Sequence, residues 1–285
     1  MSYRGVLVRF LDRPGGRFIL GTVATAIARK ITRCDVRIAY IHGRWTRRIG
    51  PNLTPTAAHF CYNPLVFRKW REEIEQYAAE TRDYWLRFYE PKEGDTIIDV
   101  GAGHGEDTLT FSRAVGKSGR VIAIEAHPLS FKALKNFCRL NRLSNVTPVH
   151  LALMDKPGKV RIVESESWME NRVSTNGDGT AALAAPASTL DDLCLRENVT
   201  EIAFLKMNIE GAERYALLGA EKTMPRIRKI CVACHDFRAN QGHGEQFRTH
   251  AFVESLLTHH GFTPAIRSDD PRDYVRDHIF GLRSN

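Results

Sequence analysis

Residues 94–126 read GDTIIDVGAGHGEDTLTFSRAVGKSGRVIAIEA, and this stretch decides the fold. The apolar run from Thr96 to Val100, with helical patterns before and after it, suits a parallel strand buried on both faces. Gly101 and Gly103 tolerate positive φ and carry no Cβ, so the backbone can turn sharply and a ligand can lie against the peptide planes. Glu106, Asp107 and Thr108 then open a helix, whose exposed N–H groups favour a polar or anionic ligand group. A second strand, Val121 to Ile124, ends on Glu125, twenty residues beyond Gly105. An acid at that edge can accept both hydroxyls of a ribose, and the whole reads as one ligand-binding βαβ half.

The spacing of the glycines separates two cofactor classes. Dinucleotide sites use GxGxxG, whose third glycine lets the helix pack closely around a pyrophosphate. Here the string is GAGHGE, with glycines at alternate positions and two acids following. Glu106 and Asp107 would repel a pyrophosphate but not the sulfonium and ammonium of S-adenosyl-L-methionine, so the reading is a methyl-donor pocket. It places Asp99, Gly101, Ala102, Gly103, His104, Thr108, Glu125 and Ala126 against the cofactor. The plainer alternative, a turn serving only fold geometry, leaves the position of Glu125 unexplained.

At 285 residues the chain has room for a doubly wound domain and an N-terminal extension, divided here at residues 1–64 and 65–285. Hydrophobic residues at 43% and charged residues at 26% are ordinary for a globular protein. Six cysteines scattered over this length make no disulfide framework, and no secretory signal is recognised, so the expected setting is reducing and cytoplasmic.

The basic charge is concentrated at the front. Residues 1–50 hold eleven Lys and Arg against only Asp12 and Asp35, while the whole chain carries +8. Within this arm Leu20, Val23, Ala24, Ile27, Ala28 and Ile31 follow helical spacing, beside Arg29, Lys30 and Arg33. The apolar run Phe18 to Ala28 is too short to span a bilayer. The favoured reading is a helix packed on the main domain with a solvated basic face. Peripheral contact with an anionic membrane, or with an acidic partner, is the alternative. No reader motif or aromatic-interleaved basic stretch points to nucleic acid.

A second helix is marked by Phe67, Trp70, Ile74, Tyr77, Thr81, Tyr84 and Phe88, ended by Pro91 and Gly94. Beyond Glu125, a helix is expected from Pro128 to Asn141, a strand over Val146 to Leu153 and another over Val160 to Glu164. Residues 165–188 lack a period and read as a loop, with Trp168 and Met169 as candidate substrate contacts. Thr189 opens a helix, Ala203 to Met207 is a strand, and Ile230 to Cys234 is a fifth. Cys231-x-x-Cys234-His235 matches the haem-attachment pattern, but three steps along a strand place the two cysteines on opposite faces, so a pair is rejected. A helix over Phe247 to Leu257 and a terminal antiparallel pair, Phe262 to Ile266 and Tyr274 to Leu282, complete the sheet.

Ligands in open α/β sheets bind outside the carboxyl ends of the strands. That rule brings Asn208, Glu210, His235 and Asp236 to the same edge as Gly101 and Glu125, and makes them the candidates for chemistry. His235 is the expected base, because its reference pKa lies near neutrality, with Asp236 orienting it or contacting substrate. A hydrogen-bonded strand-end histidine is the structural alternative. Glu213 reads as a first-turn acid stabilised by the helix dipole. The four candidates could also hold a divalent cation; the assignment adopted has no metal.

The strings GDTIIDVGAGHGEDT, VIAIEAHP, TLDDL and FLKMNIEGAE, in this order, resemble the FkbM-type S-adenosylmethionine-dependent methyltransferases over about residues 90–236. The resemblance implies an α/β, Rossmann-like class I methyltransferase fold with a seven-stranded, mostly parallel sheet and helices on both faces. It also implies methyl transfer to a hydroxyl oxygen of a sugar, glycolipid or natural-product acceptor. The family pattern KxDxEG stands here with Asn208 at the aspartate position, which leaves Glu210 or His235 to act as base. That departure also supports a second reading, a cofactor-binding but silent scaffold recruited by its basic arm.

Overall fold

The computed structural model describes residues 13–32, 36–41, 44–49, 52–55, 70–163, 172–173 and 182–283. The chain forms two compact units, residues 1–80 with 139–142, and residues 81–138 with 143–285. The boundary read at residue 64 falls among residues 56–69, outside the described residues, as does Phe67.

In the first unit, helix α1 (Pro14–Thr32) is followed by strands β1 (Val36–Ile41), β2 (Arg44–Ile49) and β3 (Asn52–Pro55), which pair in that order as an antiparallel sheet. The helix agrees with the spacing; the sheet was not foreseen. Val36 and Ile38 are buried while Arg37 between them is exposed, a period of two hidden by the density of arginines. Small residues let α1 lie close to the sheet: Ala24 and Ala28 are buried, and a Cβ on Gly21 would stand 3.0 Å from the Ile38 carbonyl. Thr25 Oγ1 accepts from the Ile38 amide at 2.8 Å, and Arg29 Nε donates to the Val36 carbonyl at 2.8 Å. Helix α2 (Trp70–Tyr84) begins in this unit and ends in the next; it stops short of Phe88, and residues 85–88 turn instead.

The second unit alternates strand and helix: β4 (Thr96–Val100), α3 (Glu106–Ala114), β5 (Arg120–Glu125), α4 (Pro128–Leu140) and β6 (Val146–His150). Next come β7 (Ala152–Leu153), β8 (Gly158–Val163), β9 (Arg172–Val173), β10 (Ala182–Ser188), α5 (Leu190–Arg196), β11 (Ile202–Met207) and α6 (Glu213–Leu218). The last are β12 (Ile227–Ala233), α7 (Asp236–Asn240), α8 (His250–His259), β13 (Thr263–Ala265), α9 (Asp273–Arg276) and β14 (His278–Leu282). Seven strands form one sheet in the order β13-β14-β12-β11-β4-β5-β6. Only β14 runs against the others, pairing antiparallel with both β12 and β13. This is the mostly parallel sheet expected. Its strand order reverses between β4 and β11, where open sheets form ligand crevices.

Alternate side chains build a core on each face of the sheet. Ile98, Val100, Ile122, Ile124, Leu205, Met207 and Val232 lie in one cluster, and Ile97, Val121, Phe204 and Phe280 with Phe111 of α3 in the other. Cys231 and Cys234 fall in opposite clusters, as strand parity requires, and both are free thiols. Burial pushes both thiols well above their ordinary range.

Two readings need correction. The single strand expected over 146–153 breaks at Leu151: β6 joins the seven-stranded sheet, whereas β7 joins a second sheet of order β7-β10-β8-β9. Part of the expected 165–188 loop is strand β10, paired antiparallel with β8. Its sequence ALAAPAS has neither β-branched nor aromatic residues, so no strand signal shows. Trp168 and Met169 lie outside the described residues.

Candidate functional site

The glycine turn rests on a buried ion cluster. β4 and β11 are parallel neighbours with Asp99 opposite Lys206 in register. Both side chains are enclosed, and Lys206 Nζ lies 3.0 Å from Asp99 Oδ1 while donating to the Gly101 carbonyl at 2.8 Å. Asp99 Oδ2 accepts from the Thr108 hydroxyl at 2.6 Å. Asp107 lies 4.0 Å from the same ammonium and accepts from Thr81 Oγ1 at 2.7 Å and Trp85 Nε1 at 3.0 Å. Burial alone would push the Lys206 ammonium down, but Asp99 and Asp107 outweigh it and hold the group above its ordinary range. Asp99 and Thr108 are 0% exposed, so they brace the turn from below and do not line its open side.

Above this cluster, Gly101, Gly103 and Gly105 have φ of 75°, 57° and 105°. The Gly101 and Ala102 amides both donate to the Ile124 carbonyl at 2.9 Å, which seats the turn against the end of β5. A Cβ on Gly101 would collide with the Asn208 carbonyl, so the space is closed to any other residue. His104 and Ala126 are half-buried. Glu125 accepts the Gly103 amide on Oε2 at 2.9 Å and the His127 amide on Oε1 at 2.8 Å. Burial pushes its carboxyl up, partly offset by those two amides. Each oxygen keeps a lone pair that a ligand hydroxyl can use.

At the end of β11 the chain reverses through Asn208–Gly211. The Asn208 amide donates to the Val100 carbonyl at 3.0 Å, while its side-chain Oδ1 is buried with no hydrogen-bond partner among the described residues. Such an acceptor is costly to leave unpaired, and it fits an incoming ammonium or hydroxyl. Glu210 is one of three non-glycine residues with positive φ among the described residues, at 54°. Glu213, 0% exposed at the start of α6, accepts the Ile209 amide at 3.3 Å and the Gly211 amide at 3.2 Å, holding that strained reversal.

His235, just beyond β12, is enclosed between these acids: Nε2 is 3.1 Å from Glu210 Oε1 and Nδ1 is 3.3 Å from Glu213 Oε1. Burial would lower its pKa, but the two carboxylates raise it to about 10. Both ring nitrogens face carboxylates, so the imidazole is placed to donate to Glu210 and Glu213. Glu210 Oε2 also takes Arg238 Nη1 at 2.7 Å. Burial pushes the Glu210 carboxyl up, but His235 and Arg238 together hold it below its ordinary range.

Asp236 turns elsewhere. Its Oδ1 accepts the Thr249 and His250 amides at 2.8 and 2.9 Å, satisfying the first turn of α8. Among the described residues it makes no hydrogen bond to His235. Among the described residues no group of three or more His, Cys, Asp or Glu is arranged to hold a metal ion. Two charges of the site, Lys206 and Arg238, stand outside the residues that the sequence marks. A lone lysine inside the buried run IAFLKM was the available signal for the first, since an unpaired ammonium does not survive there. Arg238 gave none.

An open sheet with reversal between β4 and β11, a glycine turn at the end of one strand and an acid at the end of the next define a nucleotide-type ligand site of the class I methyltransferase kind. The profile of the Methyltransferase FkbM domain matches residues 99–264, and the chain belongs to that family. It is an S-adenosylmethionine-dependent methyltransferase. It is 26% identical over 219 residues, 66% of this chain and 80% of the other, to the 31-O-demethyl-FK506 methyltransferase FkbM of Streptomyces tacrolimicus. A shorter stretch of 88 residues, 30% of this chain and 31% of the other, is 31% identical to the tRNA (adenine(57)-N(1)/adenine(58)-N(1))-methyltransferase TrmI of Methanocaldococcus jannaschii. The crystal structure of methyltransferase FkbM from Methylobacillus flagellatus KT aligns over 78% of this chain and 60% of its own, with 15% identity and a TM-score of 0.46.

Residues on the open side of the turn fit the cofactor: Gly101 and Gly103 with bare backbone, the Glu125 carboxylate and the orphaned Asn208 Oδ1. When bound, S-adenosylmethionine supplies an electrophilic methyl group. Glu125, at the end of β5, would hold its ribose, and the glycine turn its amino-acid end.

Proposed function

We propose that the chain methylates a hydroxyl oxygen of a sugar, glycolipid or natural-product acceptor, with Glu210 receiving the proton. The observation that carries this reading is the placing of Glu210. It stands at the carboxyl end of β11, one step from the Gly211 turn, with its carboxylate fixed by His235 and Arg238. A low-basicity carboxylate is adequate, because the acceptor O–H becomes strongly acidic as oxygen bonds to carbon. His235 and Arg238 act as positioning residues that keep Glu210 ionised and aimed. Alignment of the acceptor oxygen supplies most of the acceleration, on the order of 7 to 11 kcal/mol for well-oriented groups. The Streptomyces relative, a 31-O-demethyl-FK506 methyltransferase, supports oxygen as the receiving atom.

The experiment is turnover with methyl-labelled donor against a panel of hydroxylated acceptors, followed by location of the label. Label on oxygen, with kcat lowered by about 10² to 10⁴ in Glu210→Gln and S-adenosylhomocysteine binding retained, is the expected result. Label on nitrogen or carbon would overturn the oxygen assignment.

A further inference from the structure

Helix α1 carries an apolar face that no described residue of its own unit covers. Phe18 is 76% exposed, Ile19 54%, Val23 50% and Ile27 41%. At 100° per residue these four, with the exposed Thr22 and Ala26, share the side opposite Gly21, Ala24 and Ala28, the side that packs on β1. The outer side of the helix therefore carries an apolar patch over its first turns, with the exposed Arg29 and Lys30 on the same side in the last. Cations bracket it: Arg13 at one end, Arg29 and Lys30 at the other. The first 50 residues hold eleven Lys and Arg against Asp12 and Asp35.

We propose that α1 lies in the surface of an anionic lipid bilayer, its Phe18-Ile19-Val23-Ile27 face among the acyl chains and Arg13 and Lys30 at the lipid phosphates. Two features choose this occupant. No helix among the described residues is long and apolar enough to cross a membrane, so the helix can lie on a bilayer but not span it. A second copy of the chain would bring one cationic arm against another, and like charges across an interface disfavour association. An anionic bilayer offers apolar depth and negative charge in one surface. The inference stands apart from the identity of the acceptor.

The full chain is tested by co-sedimentation with vesicles of phosphatidylcholine alone and with about one-third phosphatidylglycerol, at low and high salt. Binding to the anionic vesicles, weakened by salt and reduced about tenfold or more in Ile19→Glu with Val23→Glu, is the expected result. Both positions are exposed, so thermal unfolding should match the parent; if it does not, Phe18→Ser replaces the pair. Absence of binding to either vesicle, or binding unchanged in a folded variant, would overturn the proposal. So would a concentration-dependent dimer in light scattering that the same substitutions dissolve, since the face would then be a contact between copies.

Discussion

The ammonium of Lys206 donates to the carbonyl of Gly101 across 2.8 Å, and the same nitrogen stands 3.0 Å from Asp99 Oδ1. A glycine turn has no side chains with which to fix its own path. Here its first carbonyl is tied to a charge on the neighbouring strand, and that charge is in turn fixed by an acid at the end of β4.

Lys206→Met is therefore expected to act on stability and cofactor binding together. Removing one member of a buried ion pair leaves the other uncompensated and costs about 3 to 5 kcal/mol. Thermal unfolding reads the first effect and titration with S-adenosylhomocysteine the second. Adding Asp99→Asn should restore part of the stability but not the affinity, because the Gly101 carbonyl stays untied.

Glu125→Ala removes a carboxylate that orders two amides and has lone pairs left for a ribose. Hydrogen bonds to charged groups contribute about 1.5 to 3 kcal/mol, so affinity for S-adenosylhomocysteine should fall about tenfold or more. Calorimetric titration checks it; an unchanged affinity in a folded variant would move the ribose elsewhere.

His235 gives stability a dependence on pH with a definite sign. Its folded pKa of about 10 lies above the ordinary 6.5, so the folded state binds its proton more tightly than the unfolded chain. The contribution is complete below about 6.5, declines from there, and is gone above about 10. Melting curves from neutral to alkaline pH should fall more steeply for the parent than for His235→Gln. Parallel curves would mean that the imidazole is neutral in the fold.

Asp236→Ala separates framework from chemistry. Loss of the acceptor at the start of α8 should cost about 0.5 to 2 kcal/mol in unfolding. Affinity for S-adenosylhomocysteine should stay at the parent value; a large loss would return Asp236 to the binding machinery.

The fold was legible where one residue type answers to one physical demand. The buried runs TIIDV and IAFLKM, the left-handed glycines and Glu125 are local features, and each stands where its pattern placed it. The site was less so, because its charges are set by neighbours far apart in the chain. His235 reads as a near-neutral imidazole alone, and becomes a cation only when the reversal at Asn208–Gly211 brings Glu210 and Glu213 to its two nitrogens. Asp236 next to it reads as an orienting acid, yet serves amides thirteen and fourteen residues on. Strands β1, β2 and β10 escaped because arginines and alanines carry little strand propensity; pairing partners decide such segments.

Strand β14 sits between β12 and β13, so the segment made latest on the ribosome among the described strands is an interior one. Until residues 278–282 emerge, β12 presents an open row of amides and carbonyls and β13 has nothing to pair with. The ligand-binding half can form while synthesis continues, but the sheet is exposed to mispairing with other chains until that insertion closes it. Premature termination before Asp277 should therefore yield an aggregating product, even though every residue of the glycine turn and its acid is already present.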